Sequence, residues 1–333
     1  MDRIKSFDFT RVMCTLGIAI LHFSAHTNSN FQPLRQYKNG TGGGVLVTIF
    51  FILSGAVIYL NNNNISLKIF YYKRWKSIFP TFYIAFFTLF TIYVIQYGRD
   101  FLEGKHLFIL SLLGLDGYFA YEITTFSLIG EWFLGAIVLC YIAFPIIIYF
   151  NKKNDFCVLI FLVLSYMIIQ KTDFFVVEDA RNILTCLLKM EIGYFLIKKD
   201  LWKNKICIFI STIGTVIAFG VSLAISVDTA NMLLGLFMFV VLSFIGSWIM
   251  KNTFLSRLFV KLSGYSYAFF LLHHRVIYFY FRTLNYENSF YAFLVLLLII
   301  LTTFTLAILL TNATKKILKS NLYLEFEKKL LEN

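Results

Sequence analysis

Charge is scarce in this sequence: Asp, Glu, Lys and Arg together make up 14% of 333 residues, against 59% hydrophobic residues, and there are only three prolines. Residues 291–310, YAFLVLLLIILTTFTLAILL, carry no charge at all, and a run of that length crosses the hydrocarbon core of a bilayer. The composition implies an all-α, polytopic integral membrane protein. Cysteine is also thin. Cys14, Cys140, Cys157, Cys186 and Cys207 stand singly within or beside apolar runs, which excludes redox or metal-ligand spacing and makes them packing residues. No zinc-type spacing occurs elsewhere, so no metal is implied. Gly42, Gly43 and Gly44 are not followed by Lys-Ser or Lys-Thr, which excludes a nucleotide-phosphate loop and leaves close helix packing or a flexible loop. There is no internal repeat, and the one biased stretch, Asn61 to Asn64, is a loop.

Ten spans are predicted: 8–25, 43–61, 78–96, 127–150, 156–170, 181–198, 205–225, 229–250, 264–282 and 289–312. The first follows Arg3 and Lys5 but has no small-residue cleavage site, so it is expected to be a retained helix. Ten spans put both termini on one side. Twenty basic residues fall on that side, including Arg3, Lys5, Lys73, Arg74, Lys198 and Lys199, and seven fall on the other. Positive residues are retained in the cytoplasm during insertion, so both termini are expected there. The formal net charge of +12 is thereby explained by topology, and no nucleic-acid partner is implied. Residues 1–312 form the transmembrane domain in this reading. The tail 313–333 spaces Ile317, Leu324 and Leu331 seven apart among lysines, either an amphipathic helix on the inner membrane surface or a solvated tail. The longest external loops, 26–42 and 97–126, hold Asp100, Glu103, Asp116 and Glu122, which an external substrate would meet. Within the second, residues 107–115, LFILSLLGL, are too short to span and are expected to dip back toward the membrane.

Ionisable residues inside a membrane are costly and usually face a protein interior or an aqueous path. Arg11 and His22 both lie in the first span, eleven residues apart. At about 100° per residue they share a face to within about 20° and differ in depth by roughly 16 Å, Arg11 near the cytoplasmic end and His22 near the external one. Each has a simpler reading: Arg11 snorkelling to the inner headgroups, and His22 packed at the outer interface.

Arginine, ten residues, then histidine in a first helix resembles the signature of the membrane acyltransferase 3 family. Further stretches match in order: GGGVLVTIFFILSG (42–55), YYKRWKSIFPTFY (71–83), GEWFLGAIVLCYIAFP (130–145) and LSGYSYAFFLLHH (262–274). Where the family often has a second arginine, three residues before the proline of the third-helix stretch, this chain has Ser77 beside Lys76. The resemblance is to the stand-alone type, without a fused hydrolase-like domain.

The resemblance implies transfer of an acyl group, most often acetyl, from cytoplasmic acetyl-CoA as co-substrate to a hydroxyl of a bacterial surface polysaccharide or its lipid-linked precursor. The setting implied is a multi-pass protein of the bacterial inner membrane, in contact with membrane lipids. His22 is the implied catalytic histidine and Arg11 its partner in handling the donor. A neutral imidazole suits removal of a hydroxyl proton during attack on a thioester. The phosphates of CoA call for cations, found at Arg11, Lys73, Arg74 and Lys76, although the last three also read as a purely topogenic cluster. Glu131, at about the depth of His22, is either a carboxylate orienting the imidazole or a helix-start carboxylate favoured by the macrodipole. Trp132 is an interfacial anchor or a sugar-stacking surface. His273, matching the family motif, is expected to line the path, while His274 diverges from it by about 100°. Ser54 and Gly55 are expected to let the thioester arm pass close to the backbone. Lys189 and Glu191 are expected to pair between helices. The competing class is a transporter or flippase for a sugar, lipid or ion, whose buried charges line its path.

Overall fold

The computed structural model describes residues 3–27, 31–32, 42–62, 66–98, 108–120, 122–123, 126, 128–172, 175–220, 225–284 and 288–332, and among these no strand forms. The helices are α1 (Lys5–His26), α2 (Gly42–Asn62), α3 (Leu67–Tyr97), the short α4 (Phe108–Leu112) and α5 (Asp116–Phe119), α6 (Trp132–Ile169) and α7 (Ile183–Lys198). They continue with α8 (Lys205–Gly220), α9 (Val227–Ile249), α10 (Thr253–Ser263), α11 (Ser266–Thr283), α12 (Ser289–Leu318) and α13 (Asn321–Glu332). Helices α1, α2, α3, α6, α9 and α12 are each long and apolar enough to cross a bilayer, and α8 is a shorter apolar helix. The chain is an all-α, multi-pass membrane protein.

Helices begin where Ser or Asn precedes an apolar run. Ser66, Asn182, Ser226, Asn252 and Asn288 each accept a backbone N–H through the side-chain oxygen, satisfying a donor that the first turn leaves open. The fourth and fifth predicted spans are two helical segments that meet within α6 at Asn154, whose extended backbone (φ −158°, ψ 105°) kinks the helix between them. The Asn154 side chain accepts from the Cys157 N–H at 3.2 Å, so it restarts the helix where a longer loop was expected. The start of α6 also differs, at Trp132 instead of residue 127. Gly130 sits at φ +74°, where side chains are strained, and a Cβ there would stand 2.3 Å from Leu134 Cδ2.

Helices α2 and α7 approach through two glycines. A Cβ on Gly55 would lie 1.7 Å from the Met190 carbonyl oxygen, and one on Gly193 1.9 Å from that of Ile52. Only hydrogen fits, so Gly55 serves helix packing and faces α7, not the passage of a substrate. Glu191 accepts from Asn151 Nδ2 at 2.8 Å, tying α7 to α6 as expected, while Lys189 donates to the Ala180 carbonyl oxygen at 3.2 Å, in the segment leading into its own helix, and reaches α2 only by lying 5.9 Å from the Phe51 ring centroid.

At one end of the bundle, Arg11 of α1 meets Ser263 of α10, Lys315 of α12 lies over the Tyr265 ring, and Tyr323 of α13 meets Tyr72 of α3. Both ends of the described chain therefore sit at this basic end. The tail departs from its expected form: α12 runs on to Leu318 and α13 starts afresh, so Ile317 is on a different helix from Leu324 and Leu331. Helix α13 is held to α3 by Tyr72 and Tyr323 hydroxyls 2.7 Å apart and by Lys76 Nζ, 2.5 Å from Glu327 Oε1. Toward the other end, α4 packs Phe108 against Phe86, Phe90 and Phe126. Asp116 is fully buried, accepting from Ser111 Oγ at 2.8 Å and the Gly117 N–H at 3.0 Å, so it braces this segment and meets no external substrate. Glu122 is exposed, and Asp100 and Glu103 lie outside the described residues.

Candidate functional site

One face of α1 carries Arg11, Thr15, Ile18 and His22, spaced at four, three and four residues, and all four line a single cavity of about 540 Å³. That volume is in the range of small-molecule sites. Helices α2, α3, α6 and α11 complete the walls. The shared facing of Arg11 and His22 thus puts them on one lined passage, with Arg11 toward the basic end.

At the His22 end, three helices converge. Glu131, at the start of α6, brings Oε2 to 3.6 Å from His22 Nε2 and Oε1 to 3.5 Å from His273 Nε2. His274 Nε2 lies 2.5 Å from the same Oε1. The imidazoles of His22 and His274 have centroids 4.0 Å apart. His273 is 1% exposed, and its Nδ1 is 2.6 Å from the Phe270 carbonyl oxygen. A carbonyl accepts only, so Nδ1 carries the proton and Nε2 presents a lone pair toward Glu131. Glu131 is fixed by its backbone as well. Gly130 makes the turn before it, Glu131 bridges to Gly117, and Arg275 on α11 donates through Nε to the Leu128 carbonyl oxygen and through Nη1 to the Tyr93 hydroxyl.

At the basic end, Arg11 Nη1 donates to Ser263 Oγ at 3.1 Å, and Ser263 Oγ donates to Asp8 Oδ1 at 2.7 Å. Asp8, 2% exposed, is gripped by Arg3 through two hydrogen bonds of 2.7 and 2.6 Å, and lies 3.7 Å from Arg11. Two guanidinium groups against one carboxylate leave a net positive charge where Arg11 enters the cavity.

The other expected donor-binding residues separate. Ser54 lines the cavity, its hydroxyl donating to the Phe50 carbonyl oxygen at 2.9 Å. Arg74 lies over the rings of Phe70 and Tyr141, at 5.7 and 5.3 Å from their centroids, and Tyr141 lines the cavity. Ser77, where the family often has an arginine, also lines it. Lys76 is engaged by Glu327, and Lys73 is exposed and not among the lining residues. Trp132 lines the cavity beside Glu131, with Arg181 lying 5.4 Å from its ring centroid.

Ser263 and Asp8 escaped the sequence reading, and for His274 and Arg275 the sequence showed a mid-span position but not a role. His274 was expected to point away from His273, yet both reach Glu131 because the carboxylate sits between the two directions. Arg275 acts on the backbone before Glu131, which no local pattern reveals. Ser263 is a partner only after folding. Asp8 did leave a signal, being three residues before Arg11 on one helix.

A family model described as an acyltransferase domain, the acyltransferase 3 family, matches residues 4–312. No curated protein and no solved structure matches the chain. With one family model spanning nearly every described helix and the Arg11 to His22 cavity at its centre, the chain belongs to the membrane acyltransferase 3 family and is a multi-pass membrane acyltransferase.

Proposed function

We propose that this acyltransferase moves an acetyl group from cytoplasmic acetyl-CoA to a hydroxyl of a bacterial surface polysaccharide or its lipid-linked precursor, working in the inner membrane. The observation that carries the reading is the single cavity with Arg11 toward one end and His22 against Glu131 at the other. Family membership removes the support for a transporter.

The basic end is the cytoplasmic one by the positive-inside rule. Arg11, with a net positive charge left after Asp8 is shared with Arg3, meets a phosphate of the donor, and Arg74 beside Tyr141 adds a second cation. Lys76 binds the donor only when released from Glu327, and Lys73 attracts it from outside the cavity. Ser54 lies along the path of the acyl arm, and Trp132 and His273 face the acceptor.

His22 is the general base. It takes the acceptor hydroxyl proton as the oxygen attacks the thioester carbon; the C–O bond forms, the C–S bond breaks, and the proton passes to the departing thiolate. The imidazolium formed in between lies 3.6 Å from Glu131 Oε2, which stabilises it. His273, fixed by the Phe270 carbonyl, and His274 flank the other oxygen of the same carboxylate.

The test is transfer of radiolabel from acetyl-CoA to endogenous glycan in membranes holding wild-type, His22→Ala or Arg11→Ala protein at matched levels. Loss in both variants supports the assignment. Undiminished transfer by His22→Ala would remove the base.

A further inference from the structure

The cluster at the external end of the cavity has a second chemical capability. His22, Glu131, His273 and His274 offer three imidazole nitrogens and one carboxylate oxygen, all within 4.8 Å of one another. They come from α1, the start of α6 and α11, so no spacing in the sequence announces them. We propose that these four side chains form a binding site for a divalent transition-metal ion of the zinc class, and that a bound ion takes His22 out of proton transfer. The second half rests on the general-base reading above; the first does not.

Imidazole with a carboxylate is a donor set that suits zinc and disfavours magnesium or calcium. A tetrahedral zinc ion with bonds of about 2.0–2.2 Å places its ligands roughly 3.3 Å apart. The existing separations of 3.6, 3.5 and 2.5 Å between Glu131 oxygens and the three Nε2 atoms bracket that value, and with every ligand atom within 4.8 Å of the others the widest pair closes by about 1.5 Å on occupancy. His273 and His274 Nε2 are buried and make no hydrogen bond among the described residues. His273 is almost wholly buried, its lone pair is directed into the cluster, and its Nδ1–H is held by the Phe270 carbonyl. A histidine oriented through its second nitrogen by a carbonyl is the arrangement that supports a metal ligand. His22 is 31% exposed into the cavity, which gives an ion a way in.

Binding and inhibition are measured separately. Full-length protein in detergent, stripped with EDTA, is titrated with zinc against a chromophoric chelator and with cobalt for the visible spectrum of a tetrahedral site, with magnesium as control. The expected result is one zinc per chain, unaffected by excess magnesium, with affinity reduced at least about a hundredfold in His273→Gln and His274→Gln, more than losing an outer-shell partner costs. Circular dichroism checks both variants; should His273→Gln misfold, the partly exposed His274→Gln carries the comparison. Absence of zinc binding, or equal affinity in a folded variant, overturns the site. In the transfer assay, EDTA is expected to preserve activity and zinc to suppress it. Activity lost in EDTA and restored by zinc would overturn the competition. Zinc bound with no acetyl transfer under any condition would uphold the site and refute the function on which the competition depends.

Discussion

Gly55→Ala is expected to loosen the bundle without touching any residue of the cavity. The new methyl would stand 1.7 Å from the Met190 carbonyl oxygen, where real side chains keep at least 3.0 Å, so α2 and α7 must part locally by 1.3 Å (3.0 − 1.7). Backbone on both sides leaves no flexible side chain to yield. A gap of 0.5–1 Å already forfeits about a quarter to a half of each contact's attraction. The buried residues Ile52 and Met190 flank the crossing, so the cost should reach the upper part of the overpacking range, about 3 kcal/mol. Gly43→Ala is the control, because a Cβ there meets nothing within 4 Å. The assay is the temperature at which half of the monodisperse peak is lost on size exclusion of detergent-solubilised protein. Gly55→Ala should fall by at least roughly 4 °C and Gly43→Ala by almost nothing. Equal melting of the two would refute the account of how α2 and α7 pack.

Two further outcomes follow from side chains that act at a distance from the reacting atoms. Arg275→Gln should release the Leu128 backbone and let Glu131 wander, lowering kcat about 10- to 100-fold with little change in donor KM; a change confined to KM would place Arg275 in donor binding instead. The hydrogen bond from Lys76 holds the Glu327 carboxyl below the usual carboxylate range. A depressed folded value means that the ion pair's contribution to docking α13 is fully present above the ordinary glutamate range and is lost as pH falls through the folded value, leaving the Tyr72–Tyr323 contact to hold it. Spin-label distances between α13 and α3 should therefore stay constant from pH 7 down to about 5 and lengthen only in stronger acid. Glu327→Gln should show the longer distance at every pH, and an unchanged distance would contradict the contact's role.

The spans were legible because an uncharged run of some twenty residues has few alternatives to crossing the bilayer, whereas the capping start of α3 at Ser66, ahead of the basic stretch and well before the predicted span at 78, was not read. The kinship of Arg11 and His22 was legible for the same local reason, since helical geometry alone puts residues eleven apart on one face. What could not be read is whatever depends on a second element. Lys73, Arg74 and Lys76 look equivalent in sequence, yet one is exposed, one lies against Tyr141 and one is claimed by Glu327, some 250 residues away. Gly55 and Gly193 gave no sign of facing one another's helices. The turn at Gly130 hid the true start of α6, and with it the meeting of Glu131 with His274.

The proposed function divides labour along one cavity, with the donor anchored at Arg11 and the acceptor activated at His22. Acetyl-CoA binding and turnover measured together on purified wild-type, Arg11→Ala and His22→Ala protein test it most directly. The account predicts that Arg11→Ala binds the donor about 10- to 100-fold more weakly, as loss of a charged hydrogen bond requires. It predicts that His22→Ala binds the donor as wild type does but turns over about 10²- to 10⁴-fold more slowly. Full turnover by His22→Ala, or unweakened donor binding by Arg11→Ala, would contradict it.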